Sequence, residues 1–459
     1  MSKINSIKFS LLILTAIVGI HIFALSKLIF FPYPEFFIHP YLTAHGLIPY
    51  KQILDQHFPG LMFFPLNFAT LGMQTAQAAR IWSWGIVGLE HVLIFICARK
   101  LFKSNSKALL SNLLFLAWHP FFEGWVFWID SILPVFLLAA FYLLISQPIK
   151  KKDLFLAGIF LGLASVFKQV VVPLSVLVAL ALFFRLKKKE NVIYFLLGYL
   201  PAPFLMAIYF WSLGAFGDFW YWTVIYNLTV FSKYGGQAAT TSQLLRFVFV
   251  YGLSLVALLN AKLRKTTFWL FVFILGGLAS VLARFDFVHL QPSLPFVVVA
   301  SVAGVSFLLS RARLRLVLPL YLLAAVYLLS VFYNGHISSK ILFFDEGTLR
   351  VADKVRQLTT PGEKIFVYAA PAHIYQLTET LPAGDVLVLQ FPWFFRVTEQ
   401  RILEGLIKDK PRVIVSDPNV VIQGQSIIES SSNIFAYLLE NYQLTDKIGS
   451  TEILIRKEK

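Results

Sequence analysis

Residues 9–31 read FSLLILTAIVGIHIFALSKLIFF. A helix needs about 20 mostly apolar residues to cross the hydrocarbon core of a bilayer, and this stretch supplies them. Lys3 and Lys8 precede it and no small-residue cleavage site follows. It therefore reads as a retained first span, not as a removed signal peptide. Runs of the same texture recur up to residue 333.

The composition agrees with that reading. Hydrophobic residues make up 58% of the 459 positions and charged residues 14%, where a soluble domain carries about 25% charged residues. Mean hydropathy is +0.72, and so much apolar surface has nowhere to go except lipid. The net charge of +16 does not point to nucleic acid, because the surplus Lys and Arg sit in short clusters between apolar runs and not on one polar face. The single cysteine, Cys97, lies inside an apolar run, which excludes a disulfide framework and a cysteine metal cluster.

The basic clusters set the expected orientation. They are Arg99-Lys100 with Lys103 and Lys107, Lys150-Lys151-Lys152, Arg185 with Lys187-Lys188-Lys189, Lys262-Arg264-Lys265, and Arg311-Arg313-Arg315. If each faces the cytoplasm, the stretches between them cross in pairs. Roughly eleven spans result, near 9–31, 78–98, 108–127, 130–146, 154–168, 170–184, 192–214, 244–261, 268–284, 292–310 and 316–333. The N-terminus is then cytoplasmic and residues 337–459 are extracytoplasmic, in a multi-pass protein of the cytoplasmic membrane. Glu35, Asp55, His57, Glu123, Asp130, Asp218, Arg284, Asp286 and His289 all fall at the outer face. Ionisable residues gathered at one membrane face are either solvated loop groups or a site.

The fold class expected is an α-helical polytopic membrane protein with a small C-terminal α/β domain, divided as 1–336 and 337–459. The long first outer loop, 32–77, is expected to pack as short helices on the membrane surface. A second outer loop, 215–243, carries Trp220, Tyr221, Trp222 and Tyr226, which suit an aromatic belt at the headgroups better than sugar stacking. Asn227-Leu228-Thr229 matches a glycosylation triplet that is common by chance. In the C-terminal part, 365–368, 386–389 and 413–415 read as buried strands, 346–358, 372–380 and 396–409 as helices, and 442–456 as a closing hairpin with Gly449 at its turn. No glycine-rich phosphate loop and no triad spacing occurs there. Glu90-His91, inside an apolar run, reads as a buried polar contact between spans.

The chemistry-bearing residues come in a fixed order. Tyr33-Pro34-Glu35 is followed by Gly46-Leu47-Ile48-Pro49-Tyr50, then Asp55-Gln56-His57-Phe58-Pro59-Gly60, then Ala78-Ala79-Arg80. Gly162-Leu163-Ala164 with Lys168 comes next, and then Arg284 to His289 with Pro292 and Pro295 behind. In this order the chain resembles the bacterial members of the GT-C superfamily, polyprenyl-phosphate-sugar-dependent glycosyltransferases akin to protein mannosyltransferases and aminoarabinose transferases. The resemblance covers nearly the whole chain through individually weak motifs. Two departures stand out: the family's usual pair of adjacent acids is here Glu35 alone, and His57 stands near the place of a Lys that precedes the family's Pro-Pro.

The resemblance implies transfer of a hexosyl or pentosyl unit, with inversion, from a polyprenyl-phosphate donor to a lipid, protein or glycan acceptor at the outer face. It implies no nucleic-acid partner and leaves open a divalent metal. A base must take the acceptor proton while the leaving phosphate is stabilised. Glu35 and Asp55 suit the first task, with Glu35 as base or acceptor orienter. His57, Arg80, Lys168, Arg284 and His289 suit the second, since cationic donors hold phosphate oxygens. The competing readings are structural: Lys168 as a snorkelling end-of-span lysine, Arg284 and Asp286 as a surface pair. A flippase without glycosyl transfer is the alternative function, but it predicts polar residues lining a path at mid-depth and an internal repeat, whereas the polar residues gather at one face and no repeat is found. A non-catalytic envelope-assembly protein is a third reading.

Overall fold

A computed structural model describes residues 3–185, 189–259, 261–311 and 314–458. Lys187, Lys188 and Arg313 of the basic clusters lie outside the described residues. Each predicted span falls on a helix or on two helices in direct succession. Among the described residues five helical segments are long and apolar enough to cross a membrane: Ile7–Lys27, Ala76–Phe102, Glu190–Ser212, Thr241–Leu259 and Val317–His336. Shorter apolar helices occupy Ile129–Leu144, Val171–Arg185, Thr266–Val281 and Leu294–Ser310. Phe9, Leu12, Phe23, Leu205, Leu320 and Leu323 stand exposed on such helices, the pattern of a lipid-facing surface, because helices satisfy their own backbone groups in hydrocarbon.

The chain forms two compact units. The first comprises Met1–Phe31, Arg80–Met206 and Gln237–Lys340, and the second Pro32–Ala79, Ala207–Gly236 and Ile341–Lys459.

In the first unit the helix Leu294–Ser310 is buried from Leu294 to Gly304, as expected for a helix that is apolar all round. Phe296 packs on Phe273 and Phe141 with ring centroids 4.8 and 5.3 Å apart. The helices Lys151–Phe167 and Glu190–Tyr199 cross at glycines. A Cβ on Gly158 would lie 2.1 Å from the Phe195 carbonyl oxygen, one on Gly162 2.3 Å from that of Tyr199, and one on Gly198 2.0 Å from that of Phe155. Only glycine permits such backbone approach, the small-xxx-small device of membrane helices. Gly162, a motif residue, is thus first of all a packing residue.

Glu90 and His91 are buried, as the polar-contact reading expects. Asn112 Nδ2 donates to the Ala108 carbonyl, which turns its Oδ1 toward His91 Nδ1 at 2.7 Å. His91 Nε2 then accepts from His21 Nδ1 at 2.8 Å, and His21 Nε2 lies 3.2 Å from His119 Nδ1. The contact expected at one pair of residues is a string of three histidines joining three helices.

The second unit holds a five-stranded sheet in the order 442–448, 451–456, 413–416, 364–368, 381–382. The first two pairings are antiparallel and the last two parallel. The hairpin turns at Gly449, φ 64°, a left-handed position that glycine takes without penalty. Helices Glu346–Leu358, Pro392–Asp409 and Ser432–Asn441 accompany the sheet. The expected strand at 386–389 does not join it: Leu387 and Val388 pair in parallel with Ile53 and Leu54 of the first long loop, and Leu381–Pro382 takes the sheet edge. Beside the strand Ile53–Leu54 the first long loop holds one helix, Glu35–Ala44, and turns, where several short helices were expected. In the second loop Trp222 and Tyr226 are buried against Phe394, centroids 5.6 and 4.9 Å away, while Trp220 and Tyr221 are exposed. The aromatic run is therefore split between core and surface.

Candidate functional site

Each unit holds a group of ionisable side chains among the candidate residues. In the second unit, Pro34 opens the helix Glu35–Ala44 and places Glu35 in its first turn, where a carboxylate meets the positive end of the helix dipole. His39 follows at i+4, so it shares a face with Glu35. Both are buried, and His39 stacks on Phe63 with centroids 4.8 Å apart. Asp55 is fully buried. Its Oδ1 accepts from the His57 backbone N–H at 2.6 Å and lies 2.8 Å from His57 Nδ1. Its Oδ2 lies 3.4 Å from His39 Nδ1.

These surroundings push two carboxyls apart. Burial raises Glu35 to about 8, opposed by a backbone hydrogen bond and reinforced by the charge of Asp55. Burial also acts to raise Asp55, but the charge and hydrogen bonds of His57, with His39, reverse this and hold it below its ordinary value. Burial lowers His39 to about 4. At neutral pH, then, Glu35 carries its proton and Asp55 does not. Glu35 Oε2 has no hydrogen-bond partner among the described residues, which leaves that oxygen free to meet a ligand.

In the first unit, Asp130 opens the helix Ile129–Leu144 and Lys168 ends the helix Lys151–Phe167. Lys168 Nζ lies 2.8 and 2.6 Å from the Asp130 oxygens. His289, on the short turn Phe287–Leu290, brings Nδ1 to 3.0 Å from Asp130 Oδ2 and 3.2 Å from Lys168 Nζ. Lys168 is buried and ion-paired, which sets aside the snorkelling reading. Burial, followed by the charge of Lys168, lowers the His289 pKa.

Of the remaining candidates, Arg284 pairs with Asp286 through Nε, as the structural reading of these two residues expects. Arg80 lies over the Phe30 ring, 5.0 Å from its centroid. Its buried Nε and Nη2 have no hydrogen-bond partner among the described residues. The structure thus joins Lys168 with His289, and Asp55 with His57, while Arg284 is engaged by Asp286 and Arg80 by the Phe30 ring. The sequence reading put Asp130 at the outer face without a site role and passed over His39. The i, i+4 spacing of Glu35 and His39 was a usable signal. Nothing local in the sequence links Asp130 to Lys168.

Among the described residues no group of three or more His, Cys, Asp or Glu side chains is arranged to hold a metal ion.

Comparison with known proteins adds an independent line. Residues 56–211 match the family model described as dolichyl-phosphate-mannose-protein mannosyltransferase. No curated protein matches the chain in sequence. Among solved structures, ArnT from Cupriavidus metallidurans bound to undecaprenyl phosphate aligns with a TM-score of 0.66 at 12% identity, covering 97% of this chain and 98% of that one. Its apo form gives 0.62 at 11% identity, with 98% of each chain covered. The archaeal oligosaccharyltransferase AglB from Archaeoglobus fulgidus, in complex with an inhibitory peptide and a dolichol-phosphate, gives 0.53 at 11% identity over 88% of this chain and 69% of that one. Over nearly its whole length the chain has the GT-C fold that it shares with ArnT.

Proposed function

We propose that this protein is a membrane glycosyltransferase that moves a sugar from a polyprenyl-phosphate donor to an acceptor nucleophile. The observation that carries the reading is the buried Asp130–Lys168 pair with the half-buried His289 against it. Burying charge is costly unless it is paired or used, and a lysine beside a histidine suits a phosphate that gains negative charge as its bond to the sugar breaks. ArnT, which shares the fold, was solved with undecaprenyl phosphate, and that class of lipid phosphate is the ligand proposed here.

In the reaction, an acceptor oxygen attacks the anomeric carbon, the bond from that carbon to the phosphate oxygen breaks, and its electron pair leaves on the phosphate. The acceptor proton passes to a base. Asp55 is the ionised carboxylate at neutral pH and is assigned that role, with His57 holding it in place. Glu35, which keeps its proton, is assigned to orient the acceptor by donating a hydrogen bond. Single displacement makes the transfer inverting. Lys168 and His289 receive the phosphate. Arg80, whose guanidinium lacks a protein acceptor at two nitrogens, and Arg284 are assigned to the same charge-holding task. The acceptor is a lipid, protein or glycan, residues 337–459 form an extracytoplasmic domain that helps to recognise it, and the N-terminus is cytoplasmic.

The test uses membrane vesicles charged with a labelled polyprenyl-phosphate sugar. Asp55→Ala and Lys168→Met are each expected to lower transfer by about 100-fold or more. Full transfer by either variant, at wild-type protein levels, overturns the corresponding assignment.

A further inference from the structure

The helix Asn105–Phe121 ends in a turn shaped by residue 123. The Phe122 N–H donates to the Trp118 carbonyl at 3.0 Å, and the Gly124 N–H donates to the His119 carbonyl at 2.9 Å. This bonding closes a helix when one residue turns left-handed, a place glycine usually fills. Here the left-handed residue is Glu123, φ 59°. Gly124 is needed beside it for another reason, since a Cβ there would lie 2.3 Å from His119 Nδ1. A glutamate thus occupies a backbone conformation that L-residues adopt only at a cost. Such outliers direct attention to what the side chain does.

Glu123 grips the turn that carries His289. Its Oε2 accepts from the Val288 N–H at 2.9 Å. Its own carbonyl accepts from Gln291 Nε2 at 2.8 Å, and the same amide lies 3.3 Å from the Phe122 carbonyl. Val288 precedes His289 and Gln291 follows two residues behind it, so one residue holds the turn on both sides of the histidine. Gln291 is buried, which makes its amide bonds hard for water to replace. His289 in turn reaches Asp130 and Lys168.

We propose that Glu123 is a positioning residue that fixes His289 against the Asp130–Lys168 pair and so sets the affinity of that group for a lipid-linked phosphate. The inference rests on the reading of that group as the phosphate site. Glu123 acts through the turn and not by touching the phosphate. A glutamine can keep the bond to Val288, because its amide oxygen also accepts.

The experiment titrates purified full-length protein in detergent with undecaprenyl phosphate, and follows binding by native mass spectrometry. Glu123→Ala is expected to weaken binding by about tenfold, the effect of losing one buried partner. Glu123→Gln stays within about twofold of wild type. In a His289→Ala background the alanine change at 123 has no further effect, because the residue it positions is gone. In the transfer assay, the KM for the donor rises more than kcat falls. Gln291→Leu tests the other half of the grip, with the same weakening and the same loss of effect beside His289→Ala, should Glu123→Ala fail to purify. Wild-type binding by Glu123→Ala or Gln291→Leu overturns the inference. So does binding by Glu123→Gln as weak as that of the alanine variant. Weakened His289→Ala with fully additive Glu123→Ala overturns this inference alone, while wild-type binding by His289→Ala overturns the phosphate reading along with it.

Discussion

Lys168 and Asp130 form a buried two-oxygen ion pair, Nζ lying 2.8 and 2.6 Å from the carboxylate oxygens, which ties the end of one helix to the start of another. Neither side chain has much water to fall back on, so each depends on the other for its charge.

That dependence gives the first prediction. Asp130→Asn leaves the Lys168 ammonium buried without its counter-ion, and breaking a buried pair in this way costs about 3–5 kcal/mol. The double variant Asp130→Asn with Lys168→Met removes both charges and is expected to recover most of that loss. Thermal unfolding of the three proteins in one detergent measures it. Equal destabilisation by the single and double variants shows that the pair is not the source.

The second prediction concerns pH. Glu35 has a folded-state pKa of about 8 against an ordinary value of 4.5. Between these values the folded protein keeps a proton that the unfolded chain has released. Its stabilising contribution is therefore complete below about 4.5 and is lost as pH rises through about 8. Glu35→Gln cannot titrate, so its stability should decline less than that of wild type from pH 5 to pH 8. Parallel curves for the two proteins would remove the protonated-Glu35 assignment.

Asp55 and His57 make the third. If the carboxylate and the imidazole work as one unit, Asp55→Asn, His57→Ala and the double variant should lose similar amounts of transfer, about 10²–10⁴-fold. Groups that act together are non-additive in this way. Independent, multiplying losses in a vesicle transfer assay would separate the two residues.

The glycine crossing supplies the fourth. Gly158→Leu or Gly162→Leu drives a side chain into the backbone of the helix Glu190–Tyr199, a strain of about 1–3 kcal/mol or more. The melting temperature should fall in both variants, whereas Gly85→Leu, where a Cβ meets nothing within 4 Å, should leave it nearly unchanged. Equal effects at all three positions would contradict the crossing.

What the sequence discloses about this protein depends on how local the cause is. A span is a property of its own residues, so the run 9–31 can be recognised without its neighbours. The helix 346–358 and the hairpin around Gly449 are equally self-announcing, one by periodicity and the other by a turn residue. Leu387-Val388 reads as a buried strand with equal clarity, yet its partner, Ile53-Leu54, lies in a loop whose own texture gives no strand signal. The site divides in the same manner. Glu35, Asp55, His57, Lys168 and His289 are visible as polar residues out of place in apolar surroundings, or through a family resemblance. The use of Asp130 is invisible until the fold brings it to Lys168, because the two are joined only by tertiary geometry. Glu123 illustrates the limit further: its role arises from a backbone angle and from hydrogen bonds to residues far along the chain.

The parallel pairing of Ile53–Leu54 with Leu387–Val388 also sets an order of events during synthesis. The first partner leaves the ribosome early and the second only after the last of the apolar helices named above, Val317–His336, has been made. Contacts between such distant stretches close late and slowly, because the intervening chain must be in place first. Ile53–Leu54 therefore passes the time of translation without its eventual partner. A chain ended shortly before residue 387 holds the apolar helices named above but leaves Ile53–Leu54 without its partner strand.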